Sequence, residues 1–600
     1  MPTIFSRPQA LLAALLITIS AVLSPSPASA QVTDRAPALA APGATPTVFD
    51  NPELVKAYQA TITPEDLAAH LYVFASDYFE GRETATRGQK LAATYLAGQY
   101  RKMGAAPKGT ASPSDPMDPS AYFQPFELYG SRMASANLTV SRNGSVVETS
   151  TYSSTDLDGD SYLMFGTTPE ATGEVVFGGY GISDDALGFD DYKALEAAGI
   201  DPKDKWILLL ADEPLASAEK SLLATEDGAP SQWTTSRSRK IASAAGVEPA
   251  GVLLVVDSSP RFEGTVAQAA ARQAQGLQGV GSLSLQPRSG DSGNRSRRSF
   301  PPTFAVSTEF ANKILAASGT TVDELRRRID TSLEPVVMAL EGMEVTGEVR
   351  QENFTTTTEN VAAFIEGSDP DLKHEVVVIS SHYDHIGMRA VPEGEDGINN
   401  GADDDGSGTV AVLEIAEAFL KAKVDGVGPR RSILLLNVTG EEKGLLGSAY
   451  YSDTEPILPI ENTVTNLNID MIGRIDPTHP GPNSDYVYII GSNLISQELH
   501  DINVRVNEIT GIDLDLNERF NSRDDPNQFY RRSDHWNFGK HNIPFIFFFT
   551  GTHEDYHGVD DEPEKIEYER MARISRVIFA TAWQVANQDE RPSVSGTGFN

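Results

Sequence analysis

Five places in the second half of this sequence bring acidic and imidazole side chains close together, and their residue types suit metal chemistry. "SSHYDH" offers His382 and Asp384 in an H-x-D arrangement, in which a carboxylate two positions on can fix the tautomer of a ligating imidazole. "NNGADDDGSGTVAV" sets Asp403, Asp404 and Asp405 side by side between glycines, just ahead of an apolar run. One aspartate would be enough to cap a helix, so three exceed that task. Glu441 and Glu442 adjoin each other straight after "SILLLNVTG", Asp470 lies in "TNLNIDMIG", and "EDYHGVDDEP" supplies His557. Taken singly, each has a plain explanation as a cap, a solvated turn or a hydrogen-bonded core residue. Together they put two imidazoles and several carboxylates where adjacent like charges are costly unless a cation neutralises them.

The elements that must position them are strands. "EVVVISS", "SILLLNVTG", "TNLNIDMIG", "DYVYIIGS" and "IPFIFFFTG" are short continuous apolar runs, and "TVAVLEIAEAFLKA" has helical spacing. Strands apolar on both faces, alternating with helices, predict an α/β sandwich with a largely parallel sheet. Polar residues just beyond the C-terminal ends of such strands form the site. The five motifs sit at those ends, so they should converge on one sheet edge. The chain has no cysteine, which excludes disulfides, thiolate ligands and a cysteine nucleophile. A metal centre must therefore use His, Asp and Glu, a donor set that suits two zinc ions or a comparable pair of divalent cations.

Further features bound the rest of the molecule. Acidic residues number 84 against 48 basic ones, a formal charge of −36 that repels nucleic acid and anionic membranes. Residues 1–30 carry Arg7, the apolar run "ALLAALLITISAVL" and small residues at Ala28 and Ala30, which together read as an export signal. No other stretch is apolar enough for a membrane span, so a periplasmic or extracellular protein is expected. Residues 31–55 read as a flexible leader. Residues 56–130 are the N-terminal part of the main domain, with helices in "TPEDLAAHLYVFASD" and in "TRGQKLAATYLAGQYRKMG", the latter ended by Gly104. Residues 131–347 hold short β-type runs such as "KWILLLADE" and "AGVLLVVDS" between Gly/Ser/Arg-rich loops and read as a separate β-rich domain with a few helices. Residues 348–590 carry the metal motifs, and 591–600 are expected to be a disordered tail.

The ordered set "SHYDH", "GADDDGSG", "TGEEKGLLGS", "NIDMIGR", "RRSDHWNF" and "EDYHGVDDEP" resembles the co-catalytic two-zinc aminopeptidases of metallopeptidase family 28. The resemblance runs through most of residues 350–585, and "FEGRETATRGQKLAATYLAGQYRKMG" from Phe79 is similar to that family's N-terminal piece. "HGVDDEP" departs from the commoner "HTPxDT" without losing the histidine. Residues 131–347 more diffusely resemble an inserted protease-associated (PA) domain. The resemblance implies a three-layer zinc-exopeptidase fold with a PA-like insertion and two Zn2+ per chain. Asp404 would bridge both metals, His382 and Asp470 would complete one, and Glu442 and His557 the other. Glu441 would be the general base, with Asp384 orienting His382; Asp534 and His535 in "SDH" would support. The implied substrates are the N-termini of peptides or proteins, and no partner is implied for the PA-like part.

"HEDYH" at His553–His557 also matches H-E-x-x-H, the single-zinc protease signature, which needs both histidines on one helical face. Gly551 and Gly558 flank it and weaken a helix there. Other readings are a carboxypeptidase or dipeptidase of the same clan and, in a different class, an inactive binding protein on a peptidase fold. His385 and His553 lie close to the motifs without an assigned role. His70, His374, His479, His500 and His541 read as surface or loop residues.

Overall fold

The computed structural model describes residues 45–153, 159–166, 170–262, 264–276, 280–287, 300–389, 391, 394–479 and 485–597. The expected export signal over 1–30 and most of the expected leader lie outside these residues, as does the "RSGDSGNRSRRS" loop. No helix among the described residues is long and apolar enough to cross a membrane.

Val376–His382, Ser432–Val438 and Thr463–Ile469 are buried along their whole length, and each is a β-strand. Their apolar residues alternate between two cores. Val377, Ile379, Ile433 and Leu435 face one helical layer, whereas Val376, Val378, Leu434 and Leu436 face the opposite one. That alternation is the three-layer sandwich in residue terms. Val376–His382 pairs in parallel with Ser432–Val438 on one side and Thr463–Ile469 on the other, and Thr463–Ile469 pairs in parallel with Phe545–Phe549. Four C-terminal strand ends thus share one edge of the sheet. Met338–Ile365 and Tyr486–Ile490 flank this block in antiparallel fashion, which makes the sheet mixed but parallel at its centre.

The helix Gly408–Val424 starts right after the aspartate triplet and is buried on nearly every face. It packs with Tyr568–Asn587, Arg87–Met103 and Pro64–Phe74 in the larger core. Thr63 caps the Pro64 helix by accepting from Asp66 N–H, and Gly104 ends the Arg87 helix in the left-handed region at φ +89°. Order begins earlier than the sequence suggested. Val48 is fully buried, Pro46 accepts a hydrogen bond from Trp583, and a helix runs over Pro52–Gln59, so the flexible leader does not extend to residue 55. At the other end, Arg591 binds Glu375 at 2.8 Å, and Ser595 and Gly596 both donate to the Ile495 carbonyl. These contacts hold down residues 591–597, which were expected to be free.

Two long strands, Phe123–Arg142 and Met338–Ile365, pair antiparallel along almost their full length and carry the chain into the insertion and back. The insertion has its own core, running from Ala136 to Val349. Its strands Ala171–Phe177, Trp206–Leu210, Gly251–Val255 and Thr303–Val306 pair in parallel in that order. Helices such as Arg237–Ala245 and Thr308–Leu315 pack against them. The insertion thus combines many strands with a few helices, as expected, and its central strands run parallel. "KWILLLADE" and "AGVLLVVDS" are apolar on both faces, the pattern that marks parallel strands in the rest of the chain.

Candidate metal centre

His382 is the last residue of its strand, Asp470 the first after Ile469, and Glu441 and Glu442 follow Val438 by three and four residues. Asp470 is thus at the strand end rather than inside the apolar run. His557 follows the Phe549 strand end through a turn and has positive φ, +57°. Asp403–Asp405 lie on the irregular turn between Gly401 and the helix start at Gly408, and the Asp404–Asp405 peptide is cis.

The three aspartates point to different partners. Asp405 accepts from the backbone N–H groups of Gly408 at 2.9 Å, Met471 at 3.1 Å and His382 at 3.2 Å, so its oxygens are occupied within the protein. Asp403 accepts from Gly473 N–H at 2.6 Å and from Ser407 at 2.9 Å. Asp404 faces the histidines instead: Oδ1 is 3.3 Å from His382 Nε2, and Oδ2 is 3.1 Å from His557 Nε2. Around it, His382 Nε2 is 3.5 Å from Asp470 Oδ1, and His557 Nε2 is 3.2 Å from Glu442 Oε2. Two triads therefore share Asp404: His382 with Asp470, and His557 with Glu442.

This donor set fits a pair of cations. His382 Nδ1 lies 3.1 Å from the Asp384 carbonyl oxygen, which requires the proton on Nδ1 and leaves the Nε2 lone pair facing two carboxylate oxygens. Acceptors that face each other at such distances need a proton or a metal ion between them. Asp404 Oδ2 is buried, and among the described residues only imidazole nitrogens face it, His557 Nε2 at 3.1 Å and His385 Nδ1 at 3.7 Å. Among the described residues, the only cationic partners of Asp404, Glu442 and Asp470 are imidazoles.

The protonation states follow the same crowding. Burial alone would lower the His382 pKa, but Asp470, Glu441 and Asp404 hold it well above the ordinary value. Burial opposes protonation of His557 as well, yet Asp404 and Glu442 raise it to about 10. Burial would raise Asp404, but hydrogen bonding to His382 and His557 holds it well below the usual carboxylate range. Glu441 is raised well above that range, first by desolvation and then by repulsion from Glu442 and Asp470, although His382 opposes the rise.

Asp384 touches His382 mainly through its main chain, since its carboxylate Oδ1 is 3.9 Å from His382 Nδ1. That carboxylate instead accepts from Thr84 Oγ1 at 2.6 Å and from the Glu441 N–H at 3.3 Å. It therefore fixes the backbone that carries Glu441. Asp534 is buried and accepts from Ser448, and burial raises it to about 7. His535 is also buried, stacks on Phe547 and pairs with the Tyr530 carbonyl at 2.8 Å, which makes it a packing residue.

The H-E-x-x-H match at His553 does not form a site. Residues 554–557 are turn, Glu554 lies beside Arg474 at 3.6 Å, and the His553 ring faces Asp403 at 3.4 Å.

Several residues to which the sequence assigned no role hold the site together. Arg82 is fully buried, and its guanidinium donates to the carbonyls of Tyr383, Phe74, Asn400 and Gly401, stapling the H-x-D strand end to the triplet loop. The Asp561 carboxylate accepts from both Asp403 N–H and Asp404 N–H. Asn360 accepts from Thr439 N–H and donates to the Gly447 carbonyl, clamping both ends of the loop that carries Glu441 and Glu442. His385 Nδ1 lies 2.8 Å from Glu442 Oε1. Arg82, His385 and Asp561 stand in the "FEGRETATRG", "SHYDH" and "EDYHGVDDEP" pieces already noted for their resemblance; Asn360 would need contact information.

Comparison with known proteins gives the same picture. Residues 360–582 match the model of peptidase family M28. A probable zinc metalloprotease from Pyrenophora tritici-repentis is 28% identical over 330 residues, which cover 48% of this chain and 63% of the relative. Aminopeptidase YwaD from Bacillus subtilis is 25% identical over 230 residues, covering 37% of this chain and 44% of the relative. The chain thus spans less than two thirds of the length of these relatives. A solved aminopeptidase from Aneurinibacillus sp. strain AM-1 aligns with 91% of this chain and all of its own, at 16% identity and a TM-score of 0.46.

Proposed function

We propose, from the match of residues 360–582 to the peptidase family M28 model, that this chain is a zinc-dependent aminopeptidase that hydrolyses the N-terminal peptide bond of its substrates. The observation that carries this reading is the buried carboxylate of Asp404, with one oxygen toward His382 and the other toward His557. A carboxylate can join two cations where an imidazole cannot. His382 and Asp470 would complete one ion, and Glu442 and His557 the other. Such ions supply Lewis acidity, lowering the pKa of water and polarising a carbonyl.

The chain's own groups do the rest. Glu441 accepts the proton of the attacking water and returns it to the leaving amine, acting first as base and then as acid. Asp384 holds the Glu441 N–H and, through its carbonyl, the tautomer of His382. Export through residues 1–30 to the periplasm or the medium, and a PA-like role for residues 131–347, belong to this proposal too.

Purified protein should contain two zinc ions per chain and cleave amino-acyl anilides, while ignoring their N-blocked counterparts. Equal cleavage of blocked and free substrates would remove the aminopeptidase assignment. Full activity with one ion per chain would remove the paired-metal mechanism.

A further inference from the structure

His385 stands one residue beyond Asp384 in "SHYDH", and the assigned ligands leave it without a task. Its side chain is fully buried. Its backbone N–H donates to the Arg82 carbonyl, and its ring lies against Gly401, where an added Cβ would come within 2.6 Å of the imidazole. Gly401 has φ +55°, so a side chain there would be strained as well as crowded. The ring is therefore held in one orientation. Nδ1 lies 2.8 Å from Glu442 Oε1 and 3.7 Å from Asp404 Oδ2, while Nε2 is buried with no hydrogen-bond partner among the described residues.

That unpartnered nitrogen decides the tautomer. If Nδ1 carried a lone pair toward a metal ion, the ring proton would sit on Nε2, a buried donor with nothing to accept it. Orphaned buried N–H groups are rarer than under-satisfied acceptors. With the proton on Nδ1, the short contact to Glu442 becomes a hydrogen bond, and only a bare ring lone pair is left unpartnered. Glu442 then uses its two oxygens for different purposes, Oε1 toward His385 and Oε2 toward His557 at 3.2 Å.

We propose that His385 is a positioning residue of the metal centre: its Nδ1–H holds Oε1 of Glu442, so that Oε2 is presented to the half-site shared with His557. His385 is not itself a ligand. The inference rests on the reading of Glu442 and His557 as a metal half-site, and it assigns His385 to that half alone. The His382–Asp470 half makes no contact through this ring among the described interactions.

The test is zinc binding to the full apo-protein by competition with a chromophoric chelator, with cobalt substitution as the spectroscopic readout. In His385→Phe the weaker-binding step should lose about 10–100-fold in affinity, as removal of an orienting partner does, while the other step is unchanged. His385→Asn retains an amide donor near the position of Nδ1 and should recover part of the loss. Its cobalt spectrum should match wild type once both sites are filled. Unchanged affinities in the Phe variant, or equal loss at both sites, would overturn the proposal. So would a fully loaded Asn variant whose cobalt spectrum shows one nitrogen ligand fewer. If His385→Phe does not fold, the Asn variant carries the same comparison. Wild type that binds a single ion would instead refute the paired-metal reading, and the two failures are distinct.

Discussion

The two halves of the proposed metal centre are built differently. On one side, His382 and Asp470 stand at the ends of adjacent parallel strands, with side chains only 1% and 10% exposed. On the other, Glu442 and His557 stand on turns beyond their strands, and the His557 side chain is 38% exposed. The first half takes its geometry from the sheet ladder. The second depends on contacts to its loops: Asn360 at both ends of the Glu441–Glu442 turn, His385 at Glu442, and Tyr556 stacked on the His557 ring at 3.9 Å. Strand ends fix a side chain through the backbone, whereas turns need side chains to fix them. The second half should therefore be the one that exchanges its ion and tolerates adjustment.

Asp404 belongs to both halves, so Asp404→Ala should have the largest effect, abolishing paired-metal loading and activity by metal analysis and anilide hydrolysis. Asp403→Ala and Asp405→Ala, which remove acceptors for backbone N–H groups but no proposed ligand, should lose less. Equal behaviour of all three would break the distinction drawn among the aspartates. Glu441→Gln comes next. It should lower kcat by about 10²–10⁴-fold while both ions remain bound, because it removes proton transfer but no metal donor. Graded dialysis against chelator sharpens the contrast between halves. One ion should leave well before the second, and His557→Ala should lose only the early one. His382→Ala should lose the late one, and the reverse order would refute the comparison.

A smaller effect is expected at Asn360, which acts on the second half through the loop. Asn360→Leu strands the Thr439 N–H and the Gly447 carbonyl, each costing about 1–3 kcal/mol when left unpaired. Denaturant unfolding should register that loss, and kcat should fall with the ions still bound. Smallest is Glu554→Gln, at an exposed position in the H-E-x-x-H match, which should leave kcat/KM unchanged. A near-complete loss there would restore the single-zinc reading.

Much of this was legible in the sequence because the governing forces are local and periodic. Apolar runs of strand length located the strands around His382, Glu441, Asp470 and His557. Adjacent like charges at their ends announced a cation site, since such charges are not left uncompensated in a core. The same logic, applied evenly, would have identified the parallel strands of the insertion. Illegible were the partners brought from afar: Arg82 reaches Asn400 across 318 residues, Thr84 reaches Asp384 across 300, and Asp561 reaches Asp404 across 157. A buried arginine bound only to carbonyls has no periodicity and no fixed spacing to its acceptors.

By itself the sequence determined the fold class and the sheet edge on which the acidic and imidazole side chains meet, because burial and strand alternation are written in residue order. Only the tertiary structure showed that Asp403 and Asp405 are held by backbone N–H groups while Asp404 faces the histidines, that the two oxygens of Glu442 meet different histidines, and that the Asp384 carboxylate serves the Glu441 backbone. Those outcomes depend on which backbone N–H groups lie within about 3 Å of each carboxylate, and folding alone brings those groups into range.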